Sequence, residues 1–217
     1  MSNVEFGLRR KSRFSYHCNR CNRCCHNKRI PITPYDIVRL ARKLEISTGE
    51  FIERFTDEGI RLKVRMEDAN AACVFLGPSG CTVHSDRPAP CRIYPLSWAT
   101  LYTGEDVFGF MEPDPETEGV YGEDGTVGEF ADAQGLADYG RTSILYQRLF
   151  EEIAERFEST EESLAGYERA EGEPHLLDVD AVVAAHCVKH ALPAPTGAEE
   201  TVELHVAALR EWIAEME

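Results

Sequence analysis

No stretch of this chain approaches the roughly 18 consecutive apolar residues that a bilayer-spanning helix needs. The opening residues Met1–Lys11 also lack the apolar core of a secretory signal. The expectation is a cytoplasmic protein with no membrane partner, in a reducing compartment where thiols stay reduced. There is no G-x-G-x-x-G turn, no Walker loop and no nucleophile elbow, so the common nucleotide-binding and hydrolase signatures are excluded. Lysine is scarce, at 5 of 23 basic residues, and no acid occurs between Arg9 and Arg29.

The net charge is −15 over 217 residues, placed very unevenly. Residues 1–65 carry 15 Lys and Arg against 7 Asp and Glu, a net of +8, and residues 66–217 carry 8 against 31, a net of −23. An acidic surface of that kind stays soluble at high ionic strength and points to a salt-adapted (halophilic) source. The same acidity, with no recognisable nucleic-acid module, argues against nucleic acid as a partner. The basic stretch is expected to form a solvated arm over Arg9–Arg13. Around the cysteines beyond it, cations would lower thiolate pKa values and offer a docking rim for an acidic electron-transfer partner.

Eight cysteines are present, and seven fall in two clusters. The first is Cys18-x-x-Cys21-x-x-Cys24-Cys25. The second comprises Cys73, Cys81 and Cys91, the last within Arg87-Pro88-x-Pro90-Cys91-Arg92-x-Tyr94-Pro95. Thiolates are soft ligands suited to zinc or iron–sulfur clusters, and cysteines a turn apart can converge on one centre. A disulfide framework does not fit a reducing compartment, and adjacent Cys24 and Cys25 do not easily both reach one tetrahedral ion. Cys187 stands alone in an apolar stretch and reads as a small buried hydrophobe.

The run C-x2-C-x2-C is similar to ferredoxin ligation, where a tight loop wraps a [4Fe–4S] cluster and a distant cysteine closes it. Three of the first four cysteines plus one of Cys73, Cys81 and Cys91 would then suffice. The alternative is Zn2+ or Fe2+ held by two C-x2-C pairs or by three thiolates with His84 as a further ligand. His17 and His26 flank the first cluster and read as surface or supporting groups.

A helix is expected from Thr33 as N-cap and Pro34 as first residue, with Ile37, Leu40, Ala41 and Leu44 on one stripe. A second follows the Ser47-x-x-Glu50 capping box and buries Phe51, Ile52 and Phe55. Ile60–Met66 alternates like a strand. Cys73–Leu76 and Cys81–His84 read as a hairpin about Gly77-Pro78-Ser79-Gly80. Pro88 and Pro90 predict an extended or tight-turn approach to Cys91. Leu96–Met111, with Trp98, Leu101, Tyr102, Phe108 and Phe110, reads as one or two strands about Thr103–Asp106, and Glu112–Gly128 as a Gly- and acid-rich loop. Two helices follow. One places Tyr146, Leu149, Phe150, Ile153 and Phe157 on one face; the other follows a Thr196-x-x-Glu199 box and does the same with Val202, Val206, Leu209, Ile213 and Met216. Glu158–Pro174 between them reads as polar surface. The fold class is α+β: a small cysteine-rich metal-binding domain with a mainly helical C-terminal extension.

The double cysteine signature, with Cys73-x-Phe75-Leu76 and Arg87-Pro88-x-x-Cys91-Arg92-x-Tyr94-Pro95, closely resembles the YkgJ-type CxxCxxCC family, a zinc- or iron-chelating domain often described as an iron–sulfur oxidoreductase. The resemblance implies a domain over residues 14–135 that binds metal or an iron–sulfur cluster through Cys18, Cys21, Cys24, Cys25, Cys73, Cys81 and Cys91. It leaves 136–217 as a helical extension packed on that domain. A [4Fe–4S] cluster with a redox or electron-transfer role is the leading expectation, and a zinc-stabilised interaction module is the alternative. A related domain in flagellin lysine methylases implies metal-dependent methyl transfer to protein lysine as a second alternative. Many relatives carry another cysteine in a Cys-x-Gly-x-Gly-type segment. The counterpart here is Tyr121-Gly122-Glu123-Asp124-Gly125, which has none.

Overall fold

A computed structural model describes residues 5–57, 61–65, 71–101, 103–156 and 176–215. Among these, the first long helix is α1 (Pro34–Leu44), and its start is fixed by a reciprocal cap. The Thr33 hydroxyl accepts from the Asp36 N–H, while the Asp36 carboxylate accepts from the Thr33 N–H at 2.7 Å. Helix α2 (Thr48–Phe55) starts at Ser47, whose hydroxyl accepts from the Glu50 N–H. The Glu50 carboxylate itself turns forward to Arg54 instead of closing the box.

The strands are short and paired in twos. β2 (Thr56–Asp57) pairs with β3 (Arg61–Leu62), and β4 (Val64–Arg65) with β5 (Ala72–Cys73). The strand expected over Ile60–Met66 is thus split at Lys63, with Ile60 and Met66 outside the described residues. β6 (Leu76–Gly77) pairs with β7 (Gly80–Cys81) across Pro78-Ser79, so the expected turn is present. Its outer arms are not: Cys73 belongs to the preceding pair, and after Cys81 the chain passes into a 3₁₀ turn at His84–Asp86. Gly80 has φ 103°, a left-handed conformation that glycine adopts without steric cost.

The approach to Cys91 is extended only through Arg87 and Pro88, with ψ of 146° and 158°, before Pro88 and Pro90 turn the chain. They open a short helix, α3 (Ala89–Ile93), with Pro90 in its first turn, where a missing N–H leaves no bond unmade. β8 (Leu96–Thr100) and β9 (Asp106–Phe110) form the expected hairpin; Tyr102 lies outside the described residues. The Glu112–Gly128 loop is corrected more substantially. Its second half is β10 (Val120–Thr126), antiparallel to β1 (Arg13–His17) with Tyr16 opposite Tyr121, and it leads into α4 (Val127–Ala133).

Helices α5 (Leu136–Arg156), α6 (Val179–His190) and α7 (Ala198–Glu215) follow. Of the apolar residues read on one face of α5, Tyr146 and Leu149 are buried, whereas Phe150 is 65% exposed. Glu199, expected in a cap with Thr196, is bound by the Tyr35 hydroxyl instead; Glu200 takes the cap, accepting from the Thr196 N–H at 2.9 Å. Phe157, Met216 and Glu158–Pro174 lie outside the described residues.

Helix α1 organises the interior because its faces feed three apolar clusters. Ile37, Leu40 and Ala41 pack with Phe51, Leu62, Phe75 and Val83. Tyr35 packs with Tyr139, Tyr146, Leu149, Val202 and Val206, and Val38 with Val179, Val183 and Cys187. Burying such side chains supplies about 1.5–3 kcal/mol each. Cys187 is buried as expected, and its thiol donates to the Pro193 carbonyl. The α2–α6 junction is polar: the Thr48 hydroxyl donates to Asp178 at 2.7 Å and accepts from the Asp180 N–H at 2.8 Å. No helix among the described residues is long and apolar enough to cross a membrane.

The basic N-terminal arm is not simply solvated. Arg10 pairs with Asp106 at 3.2 Å and Asp132 at 2.6 Å, and Arg9 with Glu105 at 3.1 Å. Asp106 also accepts from the Trp98 indole and the Thr100 hydroxyl, so this arm is clasped to the β8–β9 hairpin.

Candidate metal centre

The first cysteine cluster lies on a loop whose backbone is repeatedly forced left-handed, with φ of 57° at Arg20, 64° at Asn22 and 54° at Asn27. Asparagine tolerates this region, and Arg20 carries a steric cost there. The result is a tight coil ending in a 3₁₀ turn at Arg23–Cys25, closed by the Cys25 N–H on the Asn22 carbonyl at 2.9 Å. The second cluster reaches the same place from three supports: Cys73 from β5, Cys81 from β7 and Cys91 from α3.

All seven cysteines line one cavity of about 630 Å³. Among the described residues, no three of their sulfurs lie within 4.8 Å of one another. A single tetrahedral ion with bonds of about 2.3 Å would draw its sulfurs to about 3.8 Å apart. Seven thiols exceed the four that one tetrahedral ion takes, so the donor set fits zinc or iron in softness and is ample in number.

The electrostatics fit a cationic centre. Burial pushes the Cys91 thiol well above its ordinary pKa, and Cys73, Cys24 and Cys81 push it further. Cys73 and Cys81 are raised in the same way. Cys24 goes the other way, because the Cys25 thiol donates to it and Arg87 and Lys28 add positive charge. Cys25 rises correspondingly. Crowded thiols that resist joint ionisation are what a bound cation converts to thiolates.

His84 also lines the cavity, and its pKa is lowered by burial and by Arg87. Arg87 bonds Gln134 at 2.6 Å as well as His84. Arg92 is an anchor: it donates to the Arg87 carbonyl and the Tyr139 hydroxyl at 2.9 Å, to the Gln134 carbonyl at 3.1 Å and to the Ser85 carbonyl.

Several residues at the site carried no signal in the sequence. The Glu118 N–H donates to the Cys21 sulfur at 3.5 Å, and Thr117 lies 3.9 Å from it, so the acid-rich loop covers the first cluster. Tyr16 forms part of the wall beside Tyr94 of the second signature, and its ring packs at 5.0 Å on that of Tyr121, tilted by 56°. Burial pushes Tyr16 up to about 12, with Cys18 adding to the shift.

A cysteine-lined cavity on an α+β frame defines this as a metal-binding protein of the thiolate-rich class. Residues 17–116 match the model of the CxxCxxCC family, described as "Putative zinc- or iron-chelating domain". No curated protein and no solved structure matches the chain.

Proposed function

We propose that the protein binds a [4Fe–4S]-type cluster in the cysteine-lined cavity and works in electron transfer, alone or beside an oxidoreductase. The observation that carries this reading is the set of seven cysteines around one cavity, more than the four that one tetrahedral ion takes. The ligands come from Cys18, Cys21, Cys24 and Cys25 on one side and Cys73, Cys81 and Cys91 on the other, with His84 in reserve. Such a cluster supplies one-electron chemistry.

The chain's own residues hold the charge and shape the access. Arg20, Lys28, Arg29 and Arg87 line the cavity and offset thiolate charge. They also present a positive rim to an acidic electron-transfer protein, the partner we propose. The 117–118 segment covers Cys21, and a hydrogen bond to sulfur such as the one from the Glu118 N–H is one of the terms that set a cluster's reduction potential.

The test is metal and acid-labile sulfide content, with a visible spectrum, on protein purified without oxygen. Iron with matching sulfide and broad visible absorption supports the reading. Stoichiometric zinc with no sulfide overturns it and leaves a zinc-stabilised interaction module.

A further inference from the structure

Away from the cysteines, α6 and α7 bring together two imidazoles and a carboxylate. His186 and His190 are one helical turn apart on α6, and their rings lie 4.5 Å apart. Glu211 faces them from α7. A single oxygen, Oε2, lies 3.1 Å from His186 Nδ1 and 2.7 Å from His190 Nε2. All three ligand atoms lie within 4.8 Å of one another.

We propose that His186, His190 and Glu211 form a second metal site, for a divalent transition ion such as zinc, chemically distinct from the cysteine centre. Two imidazoles and one carboxylate are a donor set that zinc accepts, leaving a fourth position for water. Bonds of about 2.0–2.1 Å in tetrahedral geometry place ligand atoms about 3.4 Å apart. The two nitrogen–oxygen distances, 3.1 and 2.7 Å, are shorter than that, so Glu211 has to draw back from both rings, from His190 the more, as an ion enters.

The surroundings support a built site. His186 is only 11% exposed, so its ring is held by packing, whereas His190 and Glu211 keep access to solvent at 41% and 27%. The three side chains stand on two helices that pack on each other, which limits the ordering cost of binding. Lys189 is the competitor: its ammonium pairs with Glu211 Oε1 at 2.8 Å. It also pairs with Glu215 at 2.7 Å, so it has a second carboxylate to hold when an ion takes Glu211.

The experiment is a Co2+ titration of the full-length protein with its cysteine centre already filled, followed by absorption and calorimetry. The expected result is one further equivalent of cobalt, with ligand-field bands and no thiolate charge-transfer absorption. His190→Ala and Glu211→Gln should each weaken that equivalent by at least about tenfold, the scale on which even outer-shell changes weaken metal sites. Lys189→Ala should tighten it, and adding Zn2+ should displace it. Thermal melting without added metal checks that the variants fold. No further equivalent, a thiolate signature on it, or unchanged affinity in His190→Ala with intact folding would each overturn the proposal.

Discussion

The Asp36 carboxylate accepts a hydrogen bond from the Ala89 N–H at 3.1 Å, joining the cap of α1 to the first residue of α3. Asp36 is 1% exposed, and the same carboxylate also receives the Thr33 N–H and hydroxyl. One buried side chain therefore caps the central helix and fixes the short helix that presents Cys91.

Replacing Asp36 should accordingly act at a distance. Asp36→Ala removes the reciprocal cap and leaves the Ala89 N–H without its acceptor, for a loss of about 3 kcal/mol in denaturant unfolding. Metal retention should fall with it, because α3 is freed. Asp36→Asn, which can still accept through its carbonyl, should lose less on both counts.

The thiols should divide sharply by position. Cys21→Ser, Cys24→Ser and Cys91→Ser should purify with little or no metal, as measured by elemental analysis. Cys187→Ser should retain the full complement, because its thiol is buried against α1 and bonds Pro193 instead of lining the cavity.

His205 makes stability fall with acid. It is fully buried, bonding Tyr146 through Nδ1 at 2.7 Å and the Leu176 carbonyl through Nε2 at 2.8 Å. A carbonyl can only accept, so Nε2 carries the proton and Nδ1 accepts from the tyrosine. Burial lowers its pKa to about 4 from an ordinary 6.5. The unfolded chain therefore takes up a proton first as pH drops. Stability from this group is complete above about 6.5 and is lost progressively down to about 4, a change of about 3 kcal/mol. Unfolding measured across that window should show the loss, and His205→Gln should flatten it.

Gly119 has no room for a side chain. A Cβ there would sit 2.3 Å from the Tyr16 hydroxyl and 2.4 Å from its ring, which is held in place by Tyr94, Tyr121 and Phe130. Gly119→Ala should cost about 1–3 kcal/mol by overpacking. It should also alter tyrosine fluorescence, because Tyr16 moves at the cavity wall.

What could be read beforehand was whatever local chemistry decides. The Thr33 cap, the Pro78-Ser79 turn, the β8–β9 hairpin and the seven cysteines each carry their signal within a few residues. Long-range compensation hid the rest. Val120–Thr126 contains two glycines and two acids, and reads as a loop until β1 supplies its partner from the other end of the domain. Arg9 and Arg10 read as solvated until Glu105, Asp106 and Asp132 arrive from distant segments. Pro88 and Pro90 punctuate a chain either way, and the free Asp36 oxygen tips them toward starting a helix.

The pairing of β1 with β10 also sets an order of events during synthesis. Cys18, Cys21, Cys24 and Cys25 leave the ribosome long before Cys91, and β1 has no partner until Thr126 has followed. For that interval four thiols ride on an unpaired nascent segment, open to oxidation. The wall that the 117–118 segment and β10 add to the cysteine-lined cavity is therefore completed late, only after every cysteine of the two clusters has been made.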